Sequence, residues 1–378
     1  MMKRIMFITG TRADYGKMKP LMTALDRDPQ FEVHIFVCGM HLAKTFGSTY
    51  HEVLKDGYRN VHIAYGLTPT QNSSVNLGNT IGTLSGYVDN LQPDMIIVHG
   101  DRMDALAGAV VGALHNIIVA HIEGGELSGT IDESIRHAIS KFAHIHFVCN
   151  EEAKTRLIQL GEEEKRIFVI GSPDIDIMLS EKLPSLEESK RRYEIPFEHY
   201  GILMYHPVTT EYAEIGDKIA AVVDAVLQSG KNYLVVYPNN DLGSEVIMNE
   251  YKRLEGKPQF RIFSSLRFEN FLVLLKNADL IIGNSSAGIR ESGIYGIPAI
   301  DIGTRQSGRY LLSASSNIRH VPEDAEAILG AIEQAAHQEQ RVSFLYGDGS
   351  STERFLEVVR NPQFWDIQIQ KHFVDFDM

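Results

Sequence analysis

Apolar residues in this chain come in short unbroken runs. Each run ends in a glycine or a polar cluster, and a stretch with apolar positions every three to four residues follows. The first run predicts a strand over Lys3–Thr9, then the turn GTRADYG, then a helix over Lys17–Arg27. Further strands are expected at Phe31–Cys38, Met95–His99, Ile117–Ile122 and Ile145–Cys149, with helices at Ala105–Leu114 and Asp132–Phe142. Runs that are apolar throughout, rather than alternating, belong to strands buried on both faces, as in a parallel sheet covered by helices. The first half therefore reads as a doubly wound α/β domain. Around residues 183–200 the segment LPSLEESKRRYEIPFEHYG is charged, carries two prolines and reads as a surface helix plus linker. The alternation then restarts, with strands at Ile202–Tyr205, Tyr233–Tyr237, Arg261–Phe263, Leu280–Ile282 and Ala299–Ile302 and a helix at Phe268–Asn277. The tail, residues 351–373, reads as two helices broken at Asn361-Pro362.

The expected fold class is thus α/β, with two Rossmann-like doubly wound domains facing each other across a cleft. The first spans residues 1–182 and the second 183–359, with helices from about 360 to 378 packing back on the first. Folds of this kind bind ligands outside the carboxyl ends of their strands. A length of 378 residues suits two domains at roughly 150 residues each. Lys plus Arg number 36 against 49 Asp plus Glu, a formal charge of −13. That field repels phosphate backbones and anionic lipid, so neither nucleic acid nor membrane is expected as a partner. An anionic small substrate needs a local site that overrides it. The two cysteines, Cys38 and Cys149, sit in apolar runs and read as small buried residues, too few for a disulfide framework or a cysteine metal site. The apolar run before Gly10 is too short for a signal-peptide core. His115, Asn116 and His121 interrupt the most membrane-like window, Ala105–Ile122, which reads as a helix followed by a buried strand. A cytoplasmic protein is expected.

Several strand ends carry residues that core packing does not require. In Gly10-Thr11-Arg12-Ala13-Asp14-Tyr15-Gly16, Gly10 and Gly16 bracket Arg12, which could fork onto a phosphate or carboxylate, although an ordinary turn is an equal reading. The pattern is not the dinucleotide fingerprint G-x-G-x-x-G. In IIVHGDRMDALAG, Asp101 and Arg102 follow a buried strand, and Asp104 is better placed to cap the next helix, which leaves Asp101 for the cleft. In IIVAHIEGGELSGTIDESIRHAI, Glu123 ends another strand and Gly124-Gly125 leave room beside the backbone. Asp132 opens a helix, where the helix dipole alone favours an acid. If the strands before Asp101 and Glu123 pair, the two carboxylates share one site, and like charges separate an acid from a base.

In the second half, His206 follows a strand in MYHPVTT, and Asn239 ends VVYPNND; a lone strand-end histidine is more often structural than catalytic. The segment LIIGNSSAGIRESGIYGIPAIDIGTRQ is the most informative. A buried strand leads into Gly283-Asn284-Ser285-Ser286-Ala287-Gly288 and an expected helix, where free N–H groups, two hydroxyls and the dipole make a diphosphate site. Glu291, two turns into that helix, could accept from a ribose diol, and Arg305 would add positive charge. There is no Walker lysine. Fifteen histidines contain no H-E-x-x-H, so no metal and no cofactor are expected.

Taken together, GTRADYG, HGDRMDALA, HIEGGELSGTIDESIRHAI, HPVTT, PNND, GNSSAGIRES, GTRQ and FLYGDG resemble the hydrolysing UDP-N-acetylglucosamine 2-epimerases of sialic-acid and related nonulosonate biosynthesis. Non-hydrolysing relatives look like HGDT and HVEAGLR where this chain has His99-Gly100-Asp101-Arg102 and His121-Ile122-Glu123-Gly124-Gly125-Glu126. The resemblance implies a glycosyltransferase-B-like fold and conversion of UDP-N-acetylglucosamine and water to N-acetylmannosamine and UDP. It implies catalytic roles for Asp101, Glu123, Asp132 and His206. Arg12, Gly16, Arg102, Asn239, Ser285, Ser286, Glu291 and Arg305 would bind the nucleotide sugar, and relatives suggest a homo-oligomer. Three alternatives stand beside it: the same chemistry on a GDP-linked or 4-acetamido-modified sugar, a glycosyltransferase of the same fold, and a non-enzymatic nucleotide-sugar sensor, which would need no acid cluster. A transferase would share the nucleotide site but has little use for three acids in the other domain.

Overall fold

The computed structural model describes residues 2–44, 47–67, 72–239, 241–310, 317–335, 337 and 341–375. The first half runs β1 (Lys3–Thr9), α1 (Arg12–Asp26), β2 (Phe31–Val37), α2 (Tyr50–Lys55), β3 (Asn60–Ile63), α3 (Ser73–Leu91), β4 (Met95–His99), α4 (Met103–Leu114), β5 (Ile118–Ile122), α5 (Ile131–Phe142), β6 (Ile145–Val148), α6 (Glu151–Gln159), β7 (Ile167–Val169) and α7 (Pro173–Met178). The second runs α8 (Leu186–Arg192), β8 (Gly201–Met204), α9 (Ile215–Gln228), β9 (Tyr233–Val236), α10 (Ser244–Tyr251), β10 (Phe260–Phe263), α11 (Phe268–Lys276), β11 (Leu280–Gly283), α12 (Glu291–Tyr295), β12 (Ala299–Ile302), β13 (Ile318–Val321) and α13 (Ala325–Ala335), and the tail adds α14 (Ser351–Arg360).

Two separate parallel sheets result, as the unbroken apolar runs predict. One has seven strands in the order β3-β2-β1-β4-β5-β6-β7, the other six in the order β10-β9-β8-β11-β12-β13. The strand order reverses between β1 and β4 and between β8 and β11, the places where such sheets bind ligands. The window Ala105–Ile122 is helix α4 followed by β5, and among the described residues no helix is long and apolar enough to cross a membrane. Cys38 and Cys149 are buried and unpaired with each other.

The chain divides into two compact units. The first comprises Met1–Glu126, Asp132–Ser180 and Leu345–Met378, the second Leu127–Ile131 and Glu181–Phe344. The return to the first unit comes at 345, not near 360 as expected. Phe355 and Val359 of α14 are fully buried in the first unit's core, with Phe355 edge-on to Phe147 of β6 at 4.9 Å. The tail is one helix, not two: past Asn361 there is a single 3-10 turn, Pro362–Trp365, which buries Phe364. The strands that sequence missed, β3, β7 and β13, have three or four residues. In β13 the middle pair, Arg319 and His320, is exposed, so its sequence has no apolar run to read.

Candidate active site

Pairing of β4 with β5 sets the geometry of the first unit's site. His99 lies opposite Ile122 in register, so Asp101 and Glu123 leave the ends of adjacent strands. Glu123 is buried, and its backbone is left-handed at φ +63°. That conformation costs a non-glycine residue on the order of 1–3 kcal/mol and turns the side chain out of the strand's alternation. One carboxylate oxygen accepts from the Ser172 hydroxyl at 2.5 Å, and the other lies 3.3 Å from Nε2 of His99. Asp101 pairs with the guanidinium of Arg136, which is 2% exposed and also donates to the Glu126 carbonyl at 3.0 Å. Asp132 and Arg136 stand four residues apart on α5, hence on one helix face, so the ion pair draws Asp101 toward the face that carries Asp132.

The turn between β4 and Asp101 is fixed from below. His121 donates from Nε2 to the Gly100 carbonyl at 2.7 Å, and its Nδ1 meets Ser140 Oγ at 3.1 Å. Burial drives this ring's pKa down to about 3, so it is neutral at physiological pH. Arg102 precedes α4 with its guanidinium 3.9 Å from the Met40 sulfur. Arg12 opens α1 and forms an ion pair with Glu52 at 2.7 Å.

Three readings of the first unit change. Helix α1 begins at Arg12, not Lys17, so Gly16 is buried inside the helix rather than in a ligand loop. Thr11 starts it with a capping box to Asp14, whose carboxylate also accepts from the Gly10 amide at 3.1 Å. Asp104 is the second residue of α4 rather than its cap. Its carboxylate fills the space beside Gly10, where an added Cβ would come within 2.0 Å of Oδ2. The glycines after Glu123 likewise make room for the protein itself. A Cβ at Gly125 would sit 2.2 Å from the Ala153 carbonyl, and one at Gly124 2.9 Å from the His121 ring.

In the second unit, β8, β9 and β11 converge on His206. Its amide donates to Asn284 Oδ1 at 2.6 Å, and Asn284 Nδ2 returns a bond to the His206 carbonyl at 2.9 Å. The Asn239 amide donates to ring Nδ1 at 3.1 Å. Nδ1 is therefore an acceptor, and the neutral ring carries its proton on Nε2. Asn240 of the PNND motif lies outside the described residues. Gly283 at φ +132° has no room for a side chain, since a Cβ would meet the Met204 carbonyl oxygen at 2.0 Å. This lets β11 turn abruptly into Asn284-Ser285-Ser286.

The helix expected after Ser285 is not continuous. Ser285 caps a 3-10 turn at Ser286–Gly288, its Oγ accepting from the Ala287 amide at 3.3 Å, and α12 follows with five residues. Gly288 ends the 3-10 turn and Gly296 stops α12 in a left-handed cap, so Glu291 is the first residue of α12, buried, rather than two turns into a helix. The dipole of so short an element is small, and local N–H groups are what remain for an anion. Arg305 donates to the Asn284 carbonyl at 3.1 Å and Gln306 to the same oxygen at 2.8 Å, which ties the loop after β12 to the loop after β11. The Gly129 amide donates to the Arg305 carbonyl at 2.9 Å, and Arg309 Nε to the Leu127 carbonyl at 3.0 Å. Sequence reasoning missed Ser172, His99, His121, Arg136 and Gln306. Arg136 resembles any cation on an amphipathic helix, and Ser172 before Pro173 resembles any helix cap.

These two sites, acids on one sheet and a serine-rich turn on the other, can be set beside known proteins. The family described as UDP-N-acetylglucosamine 2-epimerase matches residues 23–360. The chain belongs to that family. It is 49% identical, over the full length of both chains, to a UDP-N-acetylglucosamine 2-epimerase of Neisseria meningitidis serogroup B. It is 34% identical to a UDP-N,N'-diacetylbacillosamine 2-epimerase (hydrolyzing) of Legionella pneumophila, covering 95% of this chain and 96% of that one. Its fold matches the crystal structure of Methanocaldococcus jannaschii UDP-GlcNAc 2-epimerase in complex with UDP-GlcNAc and UDP, with a TM-score of 0.80 at 21% identity over 94% and 99% of the two chains. The fold is thus glycosyltransferase-B-like, built from two parallel-sheet α/β units.

Proposed function

We propose that the protein is a hydrolysing UDP-N-acetylglucosamine 2-epimerase, which releases UDP and N-acetylmannosamine as the first step of sialic-acid biosynthesis. The observation that carries this reading is the adjacent placement of Asp101 and Glu123 on paired strands, with Asp101 tied to the helix that bears Asp132. The carbon-2 proton of the sugar has no carbonyl beside it, so removing it needs help from the leaving group. Departure of UDP builds positive character at carbon 1 and acidifies that proton. A carboxylate takes it, the C1–C2 double bond of 2-acetamidoglucal forms as the C1–O bond breaks, and UDP carries off the electron pair. Water then adds at carbon 1 while a proton is delivered to the opposite face of carbon 2. Two carbons and one water need several proton donors and acceptors in different states, and Asp101, Glu123 and Asp132 supply them.

On this reading the second unit holds the nucleotide. Ser285 and Ser286 offer hydroxyls and N–H groups to the diphosphate, and Glu291 accepts from the ribose. Arg305 and Asn239 line the same strand ends. His206, with its proton on Nε2, donates to the departing phosphate oxygen, where a developing charge is best stabilised. Arg12 and Arg102 add cationic help from the first unit, and neither metal nor cofactor is required. The same reading carries the expectation of a cytoplasmic homo-oligomer.

Ser286→Ala and Glu291→Ala are each expected to raise KM and weaken UDP binding about tenfold to a hundredfold, since one hydrogen bond to a charged group is worth roughly 1.5–3 kcal/mol. Unchanged UDP affinity of both variants by calorimetry would remove this loop from the nucleotide site. The function itself is tested by incubating the protein with UDP-N-acetylglucosamine alone. Free UDP with free N-acetylmannosamine supports the proposal, and no reaction without an added acceptor would point to a transferase. The Legionella relative makes a parallel incubation with UDP-N,N'-diacetylbacillosamine informative. Turnover there and not with UDP-N-acetylglucosamine would move the substrate, not the chemistry.

A further inference from the structure

We propose that Ser172 is a positioning residue for Glu123, and that the C-terminal return over Tyr346–Ser351 holds Ser172 in place; the inference rests on the proton-transfer role given to Glu123. Ser172 is fully buried at the cap position of α7, directly before Pro173. A serine there ordinarily accepts from an amide two or three residues on. This one makes no such bond. Its hydroxyl faces the Glu123 carboxylate at 2.5 Å, and because an ionised carboxylate can only accept, Ser172 is the donor.

The left-handed backbone of Glu123 releases its side chain from the strand's alternation, so the carboxylate is oriented by what it meets. It meets Ser172 on one oxygen and His99 on the other. Ser172 is in turn held on both sides of its peptide. Its amide donates to the Tyr346 carbonyl at 2.7 Å, and its carbonyl accepts from Ser351 Oγ at 3.0 Å. That approach needs glycine on both segments: a Cβ on Gly171 (φ +84°) or on Gly347 (φ +141°) would come within 3.2 Å of the other's Cα. The FLYGDG motif thereby acquires a function that its sequence did not disclose. The same turn is anchored further by Asp174 to Lys17 at 3.1 Å, and by Asp176, which accepts from the Ser351 and Thr352 amides at 2.9 and 2.7 Å. A chain segment distant in sequence thus sets the aim of one carboxylate.

The test is Ser172→Ala in the wild-type and Glu123→Gln backgrounds, with kcat, KM and calorimetric UDP affinity measured for each. A misaimed catalytic group costs about tenfold to a hundredfold, so kcat should fall by that factor while KM and UDP affinity move less than about threefold. In the Glu123→Gln background the same substitution should cost nothing further, because the group it orients is already disabled. Ser351→Ala, which touches Ser172 and not Glu123, should show the same split at smaller size. Wild-type kcat in Ser172→Ala, an equal loss in both backgrounds, or loss of UDP binding together with activity would each overturn the proposal. Failure of the functional reading shows separately, as wild-type protein that releases no UDP from the sugar nucleotide, and the proposal then falls with it.

Discussion

Glu123→Gln is expected to lower turnover by at least ~10²-fold while UDP still binds, because the amide keeps the shape of the carboxylate but cannot exchange a proton. Asp101→Asn and Asp132→Asn should behave alike in size and differently in kind. Asp101 is the acid paired with Arg136, so its amide also leaves a buried guanidinium without its carboxylate. Glu123 meets the Ser172 hydroxyl and the His99 ring, and its amide should disturb the surroundings less. If the three acids serve different proton transfers, the losses fall unequally on elimination and hydration. At least one variant should then still expel UDP but hydrate slowly, and free 2-acetamidoglucal should accumulate. Product analysis by NMR reads this directly. Wild-type turnover in all three amides, with UDP bound, would make the cluster structural.

The second large effect concerns the far end of α5, the helix that carries Asp132 and Arg136. The ammonium of Lys371, from the tail, donates to the carbonyls of Ser140, Lys141 and Ala143 at 3.2, 3.0 and 2.5 Å and to Glu162 at 2.6 Å. Glu162 also meets Lys141 at 2.7 Å and Nε2 of His146 at 3.0 Å. Burial alone would raise the Glu162 pKa, but His146, Lys371 and Lys141 outweigh it and hold the group at about 2. A carboxylate whose pKa is lowered on folding contributes stability that is present above its ordinary value, near 4.5, and is lost as pH falls toward 2. Between pH 5 and pH 3 the wild type should lose about 2 kcal/mol that Glu162→Gln does not. Burial lowers the Lys371 pKa, so the ammonium's desolvation offsets part of that gain at neutral pH. Urea titrations of both proteins at the two pH values measure it, and parallel pH dependences would refute the assignment.

What sequence reveals here follows from what each residue must satisfy. Strands β1, β4 and β12 were read to the residue because short, mostly apolar, β-branched-rich runs bounded by glycine or polar residues mark buried strands. Asp101 and Glu123 stood out because an acid at the end of a buried strand has no packing reason to be there. The partners that aim them, Arg136 and Ser172, did not. Each has an ordinary explanation at its own position, on an amphipathic helix or before a proline, and only the fold shows that Arg136 reaches Asp101 and that Ser172 turns to Glu123 instead of capping its helix. Glycines misled for a related reason. Gly10, Gly124 and Gly125 do mark close approaches, but the approaching groups are Asp104, His121 and Ala153 rather than a ligand. The serine turn was located correctly and its helix was not, because GNSSAGIRESGIYG has helical spacing with glycines frequent enough to break it.

The central claim is elimination followed by hydration, and running the wild-type enzyme on UDP-N-acetylglucosamine in deuterated water tests it most directly. The carbon-2 proton leaves on a carboxylate that exchanges with solvent, and its replacement arrives from solvent. The account predicts free UDP together with free N-acetylmannosamine that carries deuterium at carbon 2. Free N-acetylmannosamine with protium at that carbon, or a mannosamine product still linked to UDP, would contradict it.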